Sequence, residues 1–142
     1  MQHMMNTSHY FIMFFIMIIA GILSTMNVWA NKISDIRFSL NDAYMIFLMT
    51  GWMFLFMGIL YKNLYAAIFG LILVIFNFFA IRSQLFVSEK QYILGMIPHH
   101  SMAVLMSKRL LKKQNNIQPF LTNLIKTQDN EITFLKNKLS KK

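Results

Sequence analysis

Residues 43–61, AYMIFLMTGWMFLFMGILY, and residues 63–81, NLYAAIFGLILVIFNFFAI, decide the fold of this chain. Each is a run of 19 residues without Lys, Arg, Asp or Glu. At about 1.5 Å of helical rise per residue, such a run comes close to the roughly 30 Å of a bilayer's hydrocarbon core. Only Lys62 separates the two runs, so the turn Tyr61-Lys62-Asn63 predicts a tight antiparallel hairpin of helices. Upstream, residues 1–31 also lack charge, with an apolar stretch from Tyr10 to about Val28. That stretch has no basic residue before it and is long for a signal h-region, so it reads as a retained helix. Three transmembrane helices are therefore expected, over 10–28, 44–60 and 63–81. Tyr10, Trp29, Tyr44, Tyr61 and Tyr65 fall near their ends, where aromatic anchors belong.

Charge is as unevenly distributed as hydropathy. The chain of 142 residues carries +9 overall, and residues 82–142 hold 11 of its 14 Lys and Arg against three acids, Glu89, Asp129 and Glu131. Next to a bilayer, a basic segment of this kind is drawn to anionic headgroups. It shows no nucleic-acid motif, so no nucleic-acid partner is expected. With three spans, the loop 31–42 and the tail share a side bearing Lys32, Arg37, Arg82 and Lys90, against Lys62 opposite. The positive-inside rule then places the N-terminus outside and the tail in the cytoplasm, in the cell inner membrane. The chain has no cysteine, which excludes disulfides and thiolate chemistry.

Two domains are expected: 1–82 in the membrane and 83–142 as a pair of amphipathic helices. Ser88-Glu89-Lys90-Gln91 has the form of a capping box, Ser88 accepting from the N–H of Gln91 while Gln91 reaches back. Tyr92, Met96, His99, Ala103, Met106 and Leu110 then recur at helical spacing. Lys112-Lys113-Gln114-Asn115-Asn116 makes a polar turn, and Pro119 suits the first turn of a second helix. Leu121, Ile125, Gln128, Ile132, Leu135 and Leu139 form its stripe. One such hairpin cannot bury both stripes, so it needs a second copy, the spans or a partner. A homodimer is the expectation.

The chemistry concentrates in Met96-Ile97-Pro98-His99-His100-Ser101-Met102. Met96, His99 and His100 stand at i, i+3 and i+4, able to share a helix face. Imidazole and thioether together suit copper, the thioether favouring Cu(I). Pro98 withdraws an N–H from the helix and predicts a kink beside the histidines. On the second helix, Gln128 and Glu131 could orient the imidazoles or ligate directly. Against this stands the blander view of two polar residues at a helix edge. Met45, Met49, Met53 and Met57 also repeat along the second span. Gly51 and Gly58 lie opposite them, so this stripe reads as apolar filling rather than a copper relay. Asn77 is positioned to hydrogen-bond between spans.

The core Met-Ile-Pro-His-His-x-Met-Ala, followed by Ile125-x-x-Gln128-x-x-Glu131-Ile132, resembles the domain of unknown function 305 family. Its membrane-anchored branch is similar over nearly the whole chain, through His9-Tyr10, Phe38-Ser39, Tyr61-Lys62-Asn63 and Arg82-Ser83-Gln84. The resemblance implies an all-α protein, three transmembrane helices followed by a ferritin-like helical hairpin. It also implies copper handling, with Met96, His99, His100, Met102, Gln128 and Glu131 as metal-site candidates. Where the family carries Met three residues after the Glu, this chain has Phe134, so the second helix offers no thioether there. The functional expectation is an integral membrane copper-binding protein for sequestration, sensing or delivery, without enzymatic activity. The alternative is a membrane adaptor whose basic tail docks anionic lipid or a partner protein.

Overall fold

The computed structural model describes residues 7–141, so residues 1–6 of the expected first domain and residue 142 of the second lie outside the described residues. Among these it is all-α: α1 is Thr7–Leu23, α2 is Leu40–Leu60, α3 is Leu64–Ser83, α4 is Glu89–Leu111 and α5 is Gln118–Ser140. Two short 3-10 turns, Met26–Trp29 and Ile33–Asp35, lie between α1 and α2. The chain divides into two compact units, residues up to 25 with 41–86, and residues 26–40 with 87–142.

Three apolar stretches in the chain, Ser8–Trp29, Leu40–Leu60 and Leu64–Ser83, are long and apolar enough to cross a membrane. The first helix itself stops at Leu23, short of the expected Val28. Asn27 explains the difference: its carboxamide takes the N–H of Arg37 at 2.9 Å and donates to the Arg37 carbonyl at 2.7 Å. That pairing, like a rung of a β-ladder, pulls residues 26–29 out of the helix. Between α2 and α3 the turn places Lys62 in the left-handed region, and Asn63 caps α3 by accepting from the N–H of Ala66 at 3.1 Å. The two helices then meet backbone to backbone. A methyl group at Gly58 would lie 2.3 Å from the amide of Ala67, and one at Gly70 would lie 2.3 Å from that of Leu55. Of the methionine stripe, Met45 and Met49 are exposed, as the opposed glycines imply, while Met53 and Met57 are half-buried. Asn77 departs from expectation: it is buried, but its amide donates to Leu73 of its own helix at 2.8 Å, not across to another. Tyr44 is likewise buried, its hydroxyl donating to the Leu85 carbonyl at 2.7 Å.

In the second unit, α4 and α5 pack around Ile93, Ile97, Val104 and Ile132, with Ile125, Leu135 and Leu139 against them. The stripe on α5 follows the sequence pattern. That on α4 does not. Its buried register is Ile93, Ile97, Pro98, Ser101, Val104 and Ser107, while Tyr92, His99, Met106 and Leu110 are exposed. Counting apolar residues selected the neighbouring register because two positions on the true inner face are serines. The capping box is also half realised. Ser88 accepts from the N–H of Gln91 at 3.4 Å, but the Gln91 carboxamide accepts from the N–H of Leu40 at 2.8 Å. α4 continues from Glu89 to Leu111 through Pro98.

The burial that two helices alone could not supply comes partly from residues 26–40 of the same chain. Both 3-10 turns pack on α4. Close approach is permitted at Gly95, where a methyl group would already press on the Ser39 hydroxyl at 3.2 Å.

Candidate metal centre

α4 separates the two adjacent histidines by its twist of about 100° per residue. Their ring centroids are 6.1 Å apart and their environments differ. His100 points inward, its side chain only 12% exposed, with Glu131 Oε2 of α5 at 3.0 Å from Nδ1. That nitrogen is buried and makes no directed hydrogen bond, so the Glu131 carboxylate acts on the ring only as a nearby charge. Burial pushes the His100 imidazole below its ordinary value. The Glu131 carboxylate opposes this shift and His99 adds to it. His100 is thus held neutral near pH 7.

His99 faces outward and is exposed. Its Nδ1 stands 3.2 Å from the sulfur of Met26, a residue 73 positions earlier in the chain. Of the other candidates, Met96 and Met102 are half-buried on α4, and Gln128 is half-buried on α5, one turn from Glu131. The structure therefore joins His100 to Glu131, and His99 to a thioether that periodicity did not single out. Among the described residues, no group of three or more His, Asp or Glu side chains is placed to hold a metal ion. A metal here would depend on imidazole and thioether, the donor set for a soft ion.

Next to the histidines lies a second polar cluster. Ser101, fully buried, accepts from the N–H of Asn31 at 2.8 Å and donates to Asp35 Oδ2 at 2.6 Å. Asp35 is itself buried, and its other oxygen pairs with Lys136 of α5. Lys136 also donates to Ser34 Oγ at 3.2 Å. Burial would raise the Asp35 pKa, but hydrogen bonds from Lys136 and Ser101 and the charges of Lys136 and Lys32 outweigh it and hold the carboxyl below its ordinary value. Loop 26–40 is thereby fastened to both helices, through Gln91, Ser101 and Lys136.

The family match falls on these same helices, and similarity to a relative extends over nearly the whole chain. Residues 81–139, which contain α4 and α5, match the Domain of unknown function (DUF305). Over 135 residues, 90% of this chain and 89% of the relative, the sequence is 45% identical to an uncharacterized protein of Acanthamoeba polyphaga mimivirus. The chain belongs to the DUF305 family. No solved structure matches it. The DUF305 segment includes His99, His100, Ser101, Glu131 and Lys136, and leaves out Met26, Asn31 and Asp35. Sequence reasoning passed over those three because nothing in loop 26–40 has a period. The available signal was chemical: Asp35 is one of only five acids in the chain, and an acid that scarce invites a search for its cation.

Proposed function

We propose that this DUF305 protein is an integral membrane protein that binds copper, as Cu(I), at His99. The observation that carries the reading is the division of labour within the histidine pair. His100 is half-buried with the Glu131 carboxylate beside it, while His99 stays exposed beside a thioether. Meeting solvent costs an imidazole nothing, so exposure alone is uninformative. An exposed imidazole with sulfur at its nitrogen is a different matter, because a thioether is a poor hydrogen-bond acceptor and a good soft ligand. Met96, one turn before His99, and Met102, one turn after it, lie within reach of the same surface.

Membrane insertion is supported by chain topology. If both α2 and α3 cross the bilayer, the loop before α2 and the tail after α3 emerge on one side. Those two segments are the ones that pack together as the second unit. The positive-inside rule assigns that side to the cytoplasm through Lys32, Arg37, Arg82 and Lys90. A cytoplasmic site with exposed ligands fits sequestration or delivery of Cu(I), where the ion must enter and leave.

The test is Cu(I) competition against a chromophoric chelator, on full-length protein in detergent, with the histidines changed singly. His99→Ala should abolish binding. His100→Ala should weaken it less, through loss of the packed helix surface. Copper retained by His99→Ala would remove the reading.

A further inference from the structure

We infer that Met26 is itself a ligand of the Cu(I) site, so that the centre is composite: one donor from the DUF305 helices and one from the loop between the first two spans. This rests on the copper reading above and adds to it a residue outside the family segment.

Met26 opens the 3-10 turn Met26–Trp29, and its side chain is exposed. A methionine used as apolar filling offers its carbons to other carbons. Here the sulfur is the atom that meets a polar partner, at 3.2 Å from His99 Nδ1. The spacing can be compared with what a shared ion requires. Taking the bond lengths of zinc sites, about 2.0 Å to nitrogen and 2.3 Å to sulfur, as a guide, a tetrahedral angle separates the two donor atoms by about 3.5 Å. The observed pair is a few tenths of an ångström tighter, a gap two exposed side chains can open by small torsional changes. Both donors are neutral and the thioether is soft, which favours Cu(I) over hard cations such as calcium or magnesium.

The position of Met26 is built rather than incidental. The pairing of Asn27 with Arg37 closes the loop immediately beside it. Ser101, two residues beyond His99, holds the loop at Asn31 and Asp35, and Lys136 holds Asp35 from α5. Asp35 is thus a positioning residue: it touches no metal ligand, but it keeps the loop that carries Met26 against the helix that carries His99. The sulfur comes from the residue three positions after the end of α1. Binding would therefore join the loop 26–40 to α4 within the second unit.

The experiment uses full-length protein in detergent, with Cu(I) as the probe, X-ray absorption to identify the donor atoms, and chelator competition for affinity. Wild type should show sulfur scattering at about 2.3 Å together with nitrogen. Met26→Leu keeps the volume, and circular dichroism would verify its helices. It should reduce sulfur scattering and weaken Cu(I) binding by at least about 10–100-fold, the loss usual for disturbing even an outer partner of a metal site. Asp35→Asn keeps every ligand and should weaken binding to a smaller extent, with sulfur scattering reduced. If Met26→Leu keeps both the sulfur signal and the affinity while His99→Ala loses them, Met26 only orients the ring. The inference then fails and the copper reading stands. If His99→Ala also retains copper, both fail.

Discussion

Replacing Lys136 with Met should damage the second unit more than replacing Asp35 with Asn, although the two residues form one ion pair. The asymmetry comes from burial. The Asp35 side chain is 2% exposed and that of Lys136 is 30% exposed. In Asp35→Asn, the amide oxygen still accepts from Ser101, and the freed ammonium turns to water. That change should cost about 1–2 kcal/mol, near the value of one charged hydrogen bond. In Lys136→Met, the carboxylate stays inside with only the hydroxyls of Ser101, at 2.6 Å, and Ser34, at 3.5 Å, as side-chain donors. Orphaning a buried charge costs about 3–5 kcal/mol, and the lower end applies because water already reaches the lysine. The double variant should cost less than the two single variants together, with a coupling of about 1–2 kcal/mol. A further signature is available because an orphaned buried carboxyl takes up a proton more readily. The penalty of Lys136→Met should therefore shrink between pH 7 and pH 5. The assay is urea unfolding in detergent, followed by fluorescence of Trp29 in a Trp52→Phe background, since Trp29 belongs to the second unit. Equal penalties for the two single variants, or full additivity in the double, would refute the assignment of Asp35 as the buried partner.

Wild-type stability should also carry the imprint of Asp35 in acid. Its folded pKa lies below the ordinary 3.8, so its contribution is complete above that value and is lost as pH falls through the folded value. The urea midpoints of wild type and Asp35→Asn should therefore differ at neutral pH and converge below about pH 4; a constant gap would contradict the shift. In the first unit, Gly70→Ala should loosen α2 from α3 by about 1–3 kcal/mol, because the new methyl group meets backbone that has no rotamer to yield. Thermal unfolding in detergent, read through Trp52, checks this, and an unchanged midpoint would mean the helices do not approach so closely at Gly70.

Legibility of this fold in its sequence followed the strength of each periodic signal. The helices of the first unit were visible because they are long, apolar and charge-free. Their packing face was visible because Gly51 and Gly58 permit backbone contact that larger residues forbid. On α5, the apolar stripe at Leu121, Ile125, Ile132, Leu135 and Leu139 is unbroken by small polar residues, and the pattern located the core. On α4 the same method chose the wrong face. Ser101 and Ser107 are buried there, and hydrophobic counting treats a buried serine as a vote for solvent. Ser101 can be inside because Asn31 and Asp35 satisfy its hydroxyl, and both belong to a loop that no periodicity describes. The misplaced face on α4 and the omission of Asn31 and Asp35 thus have one origin. A buried polar residue can be read from sequence only when its partner can be read as well. In this chain the partners stand some 65 to 75 residues away, on the far side of two helices apolar enough to span a bilayer. The DUF305 segment alone therefore holds only part of these contacts: its histidines, its glutamate and its lysine are there, while the acid that holds the lysine and the sulfur beside His99 come from outside it.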